Sequence, residues 1–174
     1  MSFSEQIKKS TGGDEYYSPQ NVVDMILPFL VQSGYKKIWC PFDLEESRYV
    51  QTFQKMGLEV SFGHIATGQD FFDYEKPQGE IVISNPPFSK RDAIFRKLYD
   101  MRCPFALVMN FNGLFDSKAR AQMFAKNGVE LLIPYGRMKF EHEGEGLLNK
   151  PNFQSVYVCH EFLKSPIVFS GAEF

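Results

Sequence analysis

Two adjacent prolines, Pro86 and Pro87, follow almost directly on the apolar run Ile81-Val82-Ile83, and no other feature restricts the fold of this chain so tightly. A β-branched run bounded by turn residues reads as a strand buried on both faces, as in a parallel sheet. Neither proline has an N–H and each fixes φ, so strand pairing and helix are both interrupted there. The run Ser84-Asn85-Pro86-Pro87-Phe88 therefore leaves the sheet stiffly, with Asn85 held at the carboxyl end of the strand. In open α/β sheets ligands bind at that edge. A tight turn that merely caps a strand is the ordinary use of such a pair. The flanking residues allow more. Asn85 Oδ1 and the Pro86 carbonyl can both accept from a planar –NH2 group, and Phe88 offers a face for a flat heterocycle.

The rest of the chain alternates strand and helix patterns. Tyr17-Ser18-Pro19 sets up a helix start, with Ser18 as N-cap and Pro19 at the first helical position. Val22, Val23, Ile26, Leu27 and Leu30 share one helical face, and Pro28 should bend the helix before it ends near Gly34. Strands are expected at 37–42, 58–62, 80–84, 104–110, 129–133, 155–162 and 167–169, and helices at 44–56, 91–101 and 117–127. The last two strands lack an intervening helix and are expected to pair antiparallel. Together these predict an α/β domain with a mainly parallel sheet. One domain over residues 1–174 is expected, with 1–15 loosely ordered and 134–154 a long variable loop.

Composition excludes several classes. No apolar run reaches 18 residues and the first residues carry no secretion pattern, so neither a spanning helix nor export is expected. Cys40, Cys103 and Cys159 lack metal-ligand spacing and read as reduced thiols of a cytoplasmic protein; no metal site is expected. A net charge of −2 gives no global attraction to nucleic acid, so any such partner needs a local basic patch or another subunit. Lys90, Arg91, Arg96 and Lys97 form one candidate stripe, and Arg137 with Lys139 beside Phe140 another. A solvated surface is the competing reading of both.

The turn at 84–88 resembles motif IV of the amino-group methyltransferases that use S-adenosylmethionine. The alternation of elements is similar to the layout of class I methyltransferases. That resemblance implies a Rossmann-like, mainly parallel seven-stranded sheet with a C-terminal antiparallel hairpin and helices on both faces. Tyr17-Ser18-Pro19 resembles motif X of DNA adenine methyltransferases, whose residues meet the methionine part of the cofactor. Cys40-Pro41-Phe42 stands where the family usually has Asp-Pro-Phe and a glycine loop, but Asp43-Leu44-Glu45-Glu46-Ser47 replaces that loop. These acidic residues can grip ribose hydroxyls or an amino group, or form the solvated first turn of a helix. His64 stands where the family's second strand ends in a ribose-binding carboxylate, and is either a ligand or a plain loop residue. Asp70-Phe71 is similar to motif III, where a carboxylate accepts from the cofactor's adenine and an aromatic packs on it; Asp73 competes for that place. Pro151 to Ser155 is similar to the end of phage-type adenine methyltransferases.

The resemblance implies methylation of adenine N6 in nucleic acid, DNA ahead of RNA, with S-adenosylmethionine as cofactor, as in small phage-encoded enzymes. Asn85, Pro86, Pro87 and Phe88 would be catalytic. Cofactor contacts would come from Tyr17, Ser18, Pro19, Cys40, Pro41, Phe42, Asp43, His64, Asp70 and Phe71. A partner subunit or a second copy fits the weak charge. Two alternatives stay open: a binding or inhibitory module that keeps the fold without methyl transfer, and methylation of another amine, in RNA or on a protein glutamine.

Overall fold

The computed structural model describes residues 18–138, 141–142, 146–147 and 154–170. Helix α1 (Gln20–Ser33) leads into β1 (Lys37–Cys40), α2 (Arg48–Lys55) and β2 (Glu59–Phe62). Two single 3-10 turns, Ile65–Thr67 and Phe71–Asp73, precede β3 (Ile81–Ser84). A third such turn, Phe88–Lys90, runs into α3 (Arg91–Asp100), followed by β4 (Phe105–Asn110), α4 (Lys118–Asn127) and β5 (Glu130–Pro134). The short pair β6 (Glu141–His142) and β7 (Gly146–Leu147) lies within the long loop, before β8 (Ser155–His160) and β9 (Ile167–Ser170).

Seven strands form one sheet in the order β2-β1-β3-β4-β8-β5-β9. β2, β1, β3 and β4 are parallel neighbours, and β8 inserts between β4 and β5, antiparallel to both. Each strand sends alternate residues to opposite faces. Ile38, Cys40, Ile81, Ile83, Ala106 and Val108 pack on one side with α1 and α2 residues such as Ile26 and Phe53. Trp39, Val82, Phe105, Leu107 and Met109 pack on the other with Ile94, Phe95 and Leu98 of α3 and Phe124 of α4. Helices therefore cover both faces, and the apolar runs of β3 and β4 follow from that double burial.

The end of the chain differs from expectation. β8 and β9 run in opposite directions, yet they do not pair with each other; β9 pairs parallel with β5. Both edges of β8 are already taken by β4 and β5, so β9 has only the outer edge of β5 to join. The Glu130 carboxylate steers the connection, accepting from Phe162 N–H at 3.2 Å and Leu163 N–H at 3.1 Å.

Two helix starts also differ. Pro19, not Ser18, occupies the N-cap of α1, and no side chain caps that end. The helix runs on through Pro28 to a left-handed Gly34. The helix expected from Leu44 begins only at Arg48, because Ser47 caps it by accepting from Val50 N–H at 3.3 Å. Glu45 and Glu46 thus precede the helix as exposed residues rather than forming its first turn.

Candidate active site

The carboxyl ends of β1, β2 and β3 lie side by side, and the residues that follow them meet in one pocket of about 100 Å³. Its lining includes Pro41 and Phe42 after β1, His64 after β2, Asp70 and Phe71 from the second 3-10 turn, and Pro87 after β3. Segments far apart in sequence are brought together by parallel pairing, which stacks equivalent strand ends along one edge. Ile65, Phe72, Ser89 and Lys90 complete the wall.

Phe71 organises that pocket. It is 2% exposed, and its ring centroid lies 4.9 Å from Phe42, 5.6 Å from Trp39 and 5.2 Å from Phe72. Asp70 caps the same turn, its Oδ1 accepting from Phe72 N–H at 2.9 Å, which aims the carboxylate group beside the rings. Asp73 is exposed and not part of the lining, so only Asp70 reaches the pocket. His64 is buried and its Nδ1 accepts from Ala66 N–H at 3.0 Å. A neutral imidazole then carries its proton on Nε2.

The segment after β1 is closed rather than open. Asp43 N–H donates to the Cys40 and Gly63 carbonyls at 3.3 and 3.0 Å, tying the turn to the end of β2. Its carboxylate is buried and accepts a short hydrogen bond from the fully buried Ser84 hydroxyl, which bolts the end of β1 to the end of β3. Asp43 is thus a structural clasp in the turn that follows β1. Cys40 is in the core, on the α1 and α2 side of the sheet, and contributes only its carbonyl to this turn.

The Pro-Pro turn behaves as its residues dictate. Pro86 is buried, and Asn85, Pro87 and Phe88 are half-buried; of these four only Pro87 belongs to the pocket lining. Asn85 Nδ2 donates to Ser18 Oγ at 3.1 Å, which is where the hydroxyl expected to cap α1 is used. Tyr49 meets Tyr157 hydroxyl to hydroxyl at 2.7 Å, and Tyr157 donates to the Val22 carbonyl at 2.8 Å. Burial pushes both phenols up from their ordinary range, so both stay protonated. This buried pair belongs to the core rather than to the pocket lining, and the sequence did not announce it. A tyrosine in an amphipathic helix and one in a buried strand look like core residues in sequence.

The basic stripe after the turn is partly spent internally. Arg91 donates to the Gly113 carbonyl at 3.0 Å, and Lys97 donates to the Phe72 carbonyl at 2.7 Å. Lys90 and Arg96 remain exposed. Arg137 is exposed, whereas Tyr17, Lys139, Phe140 and Pro151 to Phe153 lie outside the described residues. Among the described residues no cluster of metal-ligating side chains occurs and no helix is long and apolar enough to cross a membrane.

Sheet order, helices on both faces and the converging strand ends define the class: a Rossmann-like, class I methyltransferase fold. No protein-family model and no curated protein matches the sequence. Among solved structures, the chain is similar to "a modification subunit of a putative type I restriction enzyme from Vibrio vulnificus YJ016". The match has a TM-score of 0.50 at 10% identity and covers 94% of this chain and 48% of that one. The likeness is one of fold, and this chain spans about half the length of that subunit.

Proposed function

We propose that this chain is an S-adenosylmethionine-dependent methyltransferase acting on adenine N6 in nucleic acid, DNA ahead of RNA. One observation carries the reading: Pro41-Phe42, Asp70-Phe71 and the Pro87 end of the Asn-Pro-Pro turn line a single pocket at the carboxyl edge of the sheet. The fold neighbour, a modification subunit of a restriction enzyme, supports the same class of chemistry.

The pocket residues fit the adenosine half of that cofactor. Phe42 and Phe71 supply apolar ring faces, and the Asp70 carboxylate keeps lone pairs for an exocyclic amine beyond the one used on Phe72. His64 can donate from Nε2 to a ribose oxygen, in place of a carboxylate that accepts. When bound, S-adenosylmethionine supplies an electrophilic methyl group on a sulfonium. Asn85 Oδ1 and the Pro86 carbonyl would accept from the target amine and draw its lone pair out of conjugation. Phe88 would stack the base. Holding amine and methyl in line would be the main source of acceleration, and no general base would be needed before attack because the amine proton can leave to water after the methyl has moved from sulfur to nitrogen. A base in duplex DNA would first leave the stack at a cost of a few kcal/mol. With only Lys90, Arg96 and Arg137 exposed among the described candidate cations, a partner subunit or second copy would supply the remaining grip on phosphate.

The test is Asn85→Ala, assayed by transfer of labelled methyl to DNA and RNA and by nucleoside mass spectrometry. Transfer should collapse while the circular dichroism spectrum is kept; full activity removes Asn85 from the mechanism.

The Asp43 clasp favours a second reading, a binding or inhibitory module on the same fold. It fills the turn after β1 with a buried carboxylate and leaves no glycine for close backbone approach. Calorimetry separates the two: no heat of binding at millimolar S-adenosylmethionine supports the module.

A further inference from the structure

We infer that Phe111 and Phe115, in the loop after β4, form a stacking platform for an unpaired base next to the target adenine, so that the substrate is a single strand; this rests on the nucleic-acid reading given above. β3 and β4 are parallel neighbours, with Ser84 level with Leu107. β4 then continues to Asn110, three residues and about 10 Å beyond that level. The loop that follows therefore stands beside the Asn-Pro-Pro turn, above the same edge of the sheet. Arg91, which opens α3 directly after that turn, ties the two segments together by donating to the Gly113 carbonyl at 3.0 Å. Phe88 packs against the cluster on the α3 and α4 side of the sheet, and Phe115 meets Phe124 of that cluster. Turn and loop thus present their rings on one side of one edge.

The loop is fixed from below. Buried Arg120 donates to the Gly113 and Leu114 carbonyls at 2.7 and 3.0 Å and is itself held by the Asp92 carboxylate. Asn112 N–H donates to Asn110 Oδ1 at 2.8 Å, and Phe111 N–H to the Gln154 carbonyl at 2.7 Å. Leu114 is fully buried, yet Phe111 and Phe115 on either side of it are 38% and 45% exposed. Their ring centroids lie 6.1 Å apart, and Phe115 is 5.9 Å from Phe124, so neighbours orient the rings without covering them. Rings already held in place lose little freedom when a ligand stacks on them. Every base has a π-face, but it can reach such a ring only once it is outside a duplex stack. The charges around the loop are mixed: Lys90 and Lys118 are exposed, and so is Asp116. Stacking rather than phosphate contact therefore carries this binding, and its salt dependence is shallow.

The experiment measures binding of a fluorescein-labelled oligothymidylate with one central adenine, by fluorescence polarisation, to the full chain. Phe111→Ala and Phe115→Ala are each expected to weaken binding about tenfold, the scale of one lost base stack, whereas Phe111→Trp keeps wild-type affinity. Phe115→Leu retains an apolar contact with Phe124 but offers no ring, and is expected to fall with Phe115→Ala. A second probe lacks the base on one side of the adenine. The wild type should bind it about tenfold more weakly on one of the two sides, and Phe111→Ala should not distinguish it from the intact probe. Unchanged affinity in alanine variants that keep the wild-type circular dichroism spectrum would overturn the inference. So would no binding of the probe by the wild type, or tighter binding of the matching duplex. A dimer that Phe111→Ala dissociates in sedimentation would instead give this surface to a second copy and overturn it too. If either alanine variant fails to fold, Phe115→Leu and the probes lacking a base decide alone. Absent methyl transfer with the binding pattern intact would defeat the methyl-transfer reading and leave the platform standing.

Discussion

The clasp between Asp43 and Ser84 is the sharpest test of how the site edge is held together. Ser84 is 0% exposed and Asp43 is 8% exposed, so neither partner regains water when the other is removed. A hydrogen bond to a charged group contributes about 1.5–3 kcal/mol, and an abandoned buried partner costs about 1–3 kcal/mol. Asp43→Ala and Ser84→Ala are each expected to destabilise by about 2–4 kcal/mol. Each mutant alone leaves the other group stranded, so the double mutant should cost less than the sum of the two. The expected coupling is about 2 kcal/mol. For a chain of this length a loss of about 3 kcal/mol lowers Tm by about 6–12 °C, well within calorimetric reach. Urea unfolding of the wild type, both single mutants and the double mutant, followed by circular dichroism, measures the cycle. The other contacts of Asp43 are lost equally in the two backgrounds that lack it, so the cycle isolates the Ser84 interaction. Coupling below about 0.5 kcal/mol, the range of independent sites, would refute the clasp. Asp43 would then return to consideration as a ligand group.

Three further outcomes are expected. Phe71→Ala should destabilise by about 3–5 kcal/mol in urea unfolding, because it empties a buried ring site shared by Trp39, Phe42 and Phe72, and should also abolish adenosine binding by calorimetry. The hydrogen bond from Arg120 holds the Asp92 carboxyl below its usual range. That contribution is full above the unfolded value near about 4 and is lost as pH falls through the lower native value, so Asp92→Asn should flatten the acid decline of the urea midpoint. Burial pushes the Cys103 thiol up to about 12 and those of Cys40 and Cys159 well above the ordinary range. An aromatic disulfide reagent at about pH 8 should therefore leave all three thiols untouched in the native protein and titrate them in urea.

Strand positions and the stiff exit from β3 are local properties, carried by β-branched runs, glycine stops and the covalent rings of Pro86 and Pro87. They were legible in the chain because each depends on residues a few positions apart. The meeting of Phe42, Asp70 and Pro87 was implied only by the resemblance, with Asp73 competing for the place of Asp70; parallel pairing by itself aligns just the strand ends that carry Phe42 and Pro87. What the residues could not announce was which partner each polar group would take. The hydroxyl of Ser18 suits a helix cap, and only packing sends it 67 positions away to Asn85. Asp43 and Ser84 are 41 positions apart, Tyr49 and Tyr157 108, and no spacing rule links them. The pairing of β9 with β5 was decided the same way, once β8 had both edges filled. Local sequence sets backbone conformation because torsions are short-range; hydrogen-bond partners in a dry interior are assigned only when the layers close.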